Sequence, residues 1–141
     1  MAVRTSTRFR RERAAVPWAR AFVEHTLRSA GAPSDIVERV VLATAEACNN
    51  AILHADGDDF TLSVAVERGR ALVSVSDDGD GFDPPDHASM PGPQATGRRG
   101  LALMQALVDA VDVSSGPAGT TVALVHAFPV TAVRAAVAAD S

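Results

Sequence analysis

The stretch "VSVSDDGDGFDPP" (73–85) crowds Asp77, Asp78, Asp80 and Asp83 around Gly79 and Gly81, with no basic residue among them. Such a loop could hold a metal, a sugar or a nucleotide, or could be a polar hairpin tip. An EF-hand calcium loop needs glycine at its sixth position and glutamate at its twelfth. Counted from Asp78 those positions are Asp83 and Ser89, which excludes it. Phase argues against a plain tip. Asp77 alternates with Val73 and Val75, so its carboxylate is expected to point toward the core. An inward carboxylate at a strand end needs a hydrogen-bond donor, and the exocyclic amine of a purine would serve. The glycines beyond it would let a flat base approach the backbone.

Two more stretches carry polar chemistry. In "ATAEACNNAILHA" (43–55), Glu46 and Asn50 are four apart and share one helix face. The usual meaning of such a pair is a solvated face. Here the residues beside it are Leu42, Ala43, Ala47 and Leu53, and a face that apolar implies cover and polar partners. In "TGRRGLALMQAL" (96–107) glycines lead straight into a helix. Free N–H groups and the dipole favour an anion there, and Arg98 and Arg99 add charge suited to phosphate. It is not a P-loop, since the Gly-Lys-Ser/Thr ending is missing.

The surrounding pattern supplies elements to hold these residues. Residues 3–10 are basic and suit an edge strand. A first helix runs from Glu12 to Gly31, with Val16, Ala19, Phe22 or Val23, and Leu27 inward. A second starts with Ser34 as N-cap and continues to about Ala55, burying Val41, Ala45, Cys48 and Ile52. Phe60, Leu62, Val64 and Val66 mark a strand, "ERGR" (67–70) a hairpin turn, and 71–77 the returning strand. Residues 83–98 form a long Pro/Gly-rich loop. The third helix, from Gly100, buries Leu101, Met104, Leu107, Val108 and Val111. "TTVALVHAF" (120–128) is the last strand, and 129–141 is an alanine-rich tail. The expected fold is an α/β two-layer sandwich: a mixed, mostly antiparallel sheet with helices on one face, in a single domain over 1–141.

Bulk properties narrow the function. The 141 residues are 47% hydrophobic and 21% charged, enough for one globular core. A net charge of −4 argues against direct nucleic-acid binding. The one cysteine, Cys48, cannot form an internal disulfide, and no stretch has the length of a membrane span or the run of a signal peptide, so a cytoplasmic protein is expected.

Together, "EACNN" (46–50), "DDGDGF" (77–82), "GRRGL" (97–101) and "GTTV" (119–122) resemble the gyrase, heat-shock chaperone and histidine-kinase-like ATPase superfamily. Within it the chain looks most like the stand-alone anti-sigma factor serine kinases. The resemblance implies that Asn50 ligates Mg²⁺ and that Glu46 is the general base toward a hydroxyl. It also implies that Asp77 receives the adenine amine of ATP, with Gly79 and Gly81 lining the base and Thr120 completing that side. Gly97, Arg98, Arg99, Gly100 and Leu101 would meet the phosphates beneath a lid over 83–98. Arg98 stands where the family usually has glycine; it either contacts phosphate or weakens nucleotide binding. The implied activity is phosphoryl transfer from ATP to a serine of an anti-anti-sigma (STAS) partner, with sequestration of a sigma factor. Dimerisation is common among such kinases, and residues 4–13 with the first helix are the candidate homodimer interface. The competing reading is a non-catalytic nucleotide-sensing module, against which Glu46 counts.

Overall fold

The computed structural model describes residues 2–54, 57–77, 100–116 and 119–128. The elements are β1 (Val3–Arg10), α1 (Ala15–Ser29), α2 (Ser34–His54), β2 (Asp59–Glu67), β3 (Arg70–Asp77), α3 (residues 100–107), β4 (Ala110–Gly116) and β5 (Gly119–Ala127). The strands form one sheet in the order β1-β2-β3-β5-β4. The expected two-layer sandwich is present, but every strand pairing among the described residues is antiparallel, so the sheet is not mixed. Helix α1 lies against β1 and β2, and α2 against β3 and β5.

The sheet holds its helices by alternation. Phe60, Leu62, Val64 and Val66 of β2 are buried, while the residues between them face outward. The register sets Leu62 beside Val75 and Val64 beside Val73, then Val73 beside Leu124 and Val75 beside Val122. These side chains make one apolar rank, each contributing about 1.5–3 kcal/mol through burial. Ala19, Val23 and Leu27 of α1, and Val37, Val40, Ala47 and Cys48 of α2, cover it. The α2 stripe runs through Thr44 rather than Ala45, and Ile52 is only half-buried. Thr44 can be fully buried because its hydroxyl donates to the Val40 carbonyl at 2.7 Å.

The junctions fix the angles. Gly31 sits at φ 89°, its N–H donating to the Arg28 carbonyl while the Ala32 N–H donates to that of Leu27, both at 3.0 Å. This is a Schellman end for α1, which a residue with a Cβ adopts only at a cost. Ser34, expected as the N-cap of α2, lies inside its first turn. Val37 N–H donates to the Pro33 carbonyl, and the Ser34 hydroxyl accepts from Arg28 Nη1 at 3.2 Å. The β2–β3 turn is the expected two-residue hairpin, with Arg68 and Gly69 at φ 52° and 71°. Helix α3 ends sooner than its pattern implied: Val111, expected on its buried face, belongs to β4, an edge strand.

Leu62→Ala is expected to destabilise the fold by about 2–5 kcal/mol, whereas Val113→Ala on the exposed edge should stay within about 0.5 kcal/mol. Chemical denaturation of the two variants checks this.

Candidate functional site

The buried side of α2 leaves Glu46 and Asn50 on its flank, both half-buried. Their cover is not the apolar face expected. Ala43 and Ala47 belong to the core, but Leu42 and Leu53 are 49% and 54% exposed. What lies against the pair is Gly100 of α3. A methyl group added at Gly100 would stand 3.1 Å from Glu46 Oε1 and 3.1 Å from Asn50 Nδ2. Gly100 is therefore the close-approach residue that lets α3 lie against a carboxylate and an amide. Leu101 packs against the core.

A second group forms at the end of the sheet. Asp77 closes β3 and follows Ala71, Val73 and Val75 on the inner face, with only 7% of its surface exposed. The inward orientation expected from its phase is observed. Gly119, at φ 124°, opens β5 directly against it: an added Cβ would collide with the Asp77 carbonyl oxygen and lie 3.1 Å from Asp77 Oδ1. The β3–β5 register pairs Val75 with Val122 and Ser76 with Thr121. Continued one step, it sets Thr120 beside Asp77 on the inner face. The Thr120 hydroxyl also lies 3.0 Å from Ser115 Oγ across the β4–β5 pair. The contact of Gly119 with Asp77 spans 42 positions and leaves no local signal.

Both groups occupy the helix-covered side of the sheet. A depression of about 430 Å³, lined in part by Arg4, Ser63, Leu72 and Ser74, lies on the strands and involves none of these residues. Gly79, Gly81, Gly97, Arg98 and Arg99 lie outside the described residues, as do the 83–98 loop and the 129–141 tail. Among the described residues no three His, Cys, Asp or Glu side chains cluster as a metal site. A cation here would draw on the Asn50 amide oxygen and on oxygens of its ligand, which suits a hard ion such as Mg²⁺ and not a thiolate- or imidazole-seeking one. Cys48 is no nucleophile. Burial pushes its thiol up to about 12.

Every described candidate residue falls within 9–126, the span matched by the histidine kinase-like ATPase domain pattern. The chain belongs to that family. Among curated members of this ATPase family, the serine-protein kinase RsbW of Bacillus velezensis is 37% identical over 103 residues, and that of Bacillus subtilis 35%. The aligned part is 64% of this chain and 64% of each relative, so the chain spans under two thirds of their length. Among solved structures, the RsbU and RsbW domains of Rv1364c from Mycobacterium tuberculosis superpose with a TM-score of 0.70 at 24% identity, covering 89% of this chain and 32% of that one. The histidine kinase domain of the Erythrobacter litoralis blue-light activated kinase gives 0.54 at 21%, covering 89% and 64%. These likenesses establish the ATPase fold. No helix among the described residues is long and apolar enough to cross a membrane.

Two measurements check the packing of the site. Gly119→Ala should destabilise the protein by about 1–3 kcal/mol through backbone strain, while Gly116→Ala, with open space around it, should be close to neutral in thermal melts. The raised Cys48 thiol favours the fold below its ordinary value of 9.0, and this contribution is lost as pH rises toward about 12. Denaturation midpoints across that range should fall less for Cys48→Ala than for the parent chain.

Proposed function

We propose that this protein is an ATP- and Mg²⁺-dependent protein serine kinase, acting on an anti-anti-sigma partner of the STAS type and itself restraining a sigma factor. The observation that carries the reading is the Glu46–Asn50 pair held against Gly100 of α3. A module that only bound nucleotide would have no use for a carboxylate beside a phosphate-binding helix end. The RsbW relatives support the choice of a serine as acceptor.

In this reading Asp77 accepts a hydrogen bond from the adenine amine, and Gly79 and Gly81 leave room for the base. Asn50 offers its amide oxygen to the cation. The N–H groups at the start of α3, with Gly97, Arg98 and Arg99, face the phosphates and stabilise charge that builds during transfer. Bound Mg·ATP supplies the γ-phosphoryl group and the divalent charge that neutralises it. Glu46 orients the acceptor serine and takes its proton as the new oxygen–phosphorus bond forms and the bond to ADP breaks.

The test is transfer of labelled phosphate from ATP to purified STAS-domain partners. Glu46→Ala should lower transfer by about 10²–10⁴-fold while nucleotide still binds. Asp77→Asn should weaken nucleotide binding by roughly ten- to hundredfold. Tight ATP binding with no partner phosphorylated would instead make the protein a nucleotide-sensing module, and full transfer by Glu46→Ala would strip Glu46 of its role as base while leaving the kinase reading standing.

A further inference from the structure

Arg11 stands outside the site yet grips the helix that carries it. It follows β1 in the turn before α1, and its own N–H donates to the Asp58 carbonyl at 2.8 Å. Its guanidinium reaches further. Nε donates to the Gly57 carbonyl at 2.6 Å and Nη1 to the Ile52 carbonyl at 2.7 Å. Ile52 lies in the last turn of α2, where carbonyl groups have no partner within the helix. A cation there also meets the negative end of the helix dipole. Because the guanidinium is a rigid planar fork, both carbonyls are held by one group at fixed spacing.

From this geometry we infer that Arg11 is a positioning residue for Asn50: it pins the final turn of α2 so that the amide is pre-set for the cation. The chain of cause is short. In an α-helix the carbonyl of Asn50 is closed by the N–H four residues on, at His54, the last residue of α2. If the Ile52 and Gly57 carbonyls lose their common donor, that turn frays, and Asn50 frays with it. Glu46, a full turn deeper and flanked by the buried Ala43 and Ala47, keeps its place. Arg11 therefore acts on metal-dependent binding more than on the helix as a whole. The connection also ties edge strand β1 to the metal end of α2, so whatever binds or displaces that strand acts on the Asn50 amide through this one side chain.

The inference rests on the nucleotide-binding reading above, and its test separates the two. ADP affinity is measured by calorimetry with and without Mg²⁺ for the parent chain, Arg11→Ala, Arg11→Lys and Phe9→Leu. The last loosens the Phe9–Phe60 stack between β1 and β2 without removing a hydrogen-bond donor to α2. Arg11→Ala should lose about tenfold in affinity with Mg²⁺ present, as removal of a group supporting a metal ligand does, and change little without it. Arg11→Lys, able to hold one carbonyl, should fall between, and Phe9→Leu should keep the full Mg²⁺ dependence. Amide exchange at residues 50–54 should quicken in Arg11→Ala and not in Phe9→Leu. Unchanged exchange and an unchanged Mg²⁺ effect in Arg11→Ala would overturn the inference while leaving the kinase reading intact. A parent chain that binds no nucleotide would overturn both, whatever the exchange.

Discussion

A carboxylate on the inner face of an apolar sheet is costly, and this fold has room for one only where the face runs out. Asp77 continues the series Ala71, Val73, Val75 and is nearly as buried as they are. A buried carboxylate is tolerated only where it is hydrogen-bonded, so its location is a constraint that the rest of the sheet must honour. The β3 register honours it by pairing Asp77 with Phe60 at the last rung. A slip of one residue would turn Asp77 to the outer face together with every valine that precedes it. The same hydrophobic alternation that closes the core therefore aims the acid.

Helix α2 faces a related problem, since it must be core on one side and site on the other. Small residues solve it. Ala43 and Ala47 are fully buried and Thr44 bonds back to its own helix, so the helix lies close on β3 and β5. Glu46 and Asn50 emerge at its flank, where Gly100 admits α3 without a side chain between. Glycine does corresponding work at 119, where β5 crosses the Asp77 carbonyl. In both places what matters is the absence of a Cβ, and each absence joins segments far apart in the chain.

That is why the sequence disclosed some features and hid others. Alternation over 60–66 and 71–77 is strong, local and period two, so β2, β3 and the inward Asp77 were legible. Strand β4 was not. Its residues are mostly exposed, and Val111 and Val113 are too few to separate a strand from the end of α3. The α2 stripe was misread by one residue, because a threonine that satisfies its own hydroxyl is as easily buried as alanine. Leu42 and Leu53 suggested cover by being apolar, yet both remain exposed. Gly100 could be flagged as a helix start, but its approach to Glu46 and Asn50 is a tertiary fact.

The two halves of the site are held by different kinds of support. Asp77 sits in a ladder bonded to strands on either side, so its position is set by many cooperative backbone contacts. Asn50 sits near the end of a helix, where the internal bonds give out and an outside donor must replace them. Helix ends are where local opening costs least. A side chain at such a place is either loose or anchored from elsewhere, and the Arg11 guanidinium, bridging two carbonyls at 2.6 and 2.7 Å, is an anchor of the right charge and shape. The Asn50 end of the candidate site is thus the end that the N-terminal strand can reach, while the end bearing the acid is held within the sheet. The adjustable half of the site is the one carrying the amide.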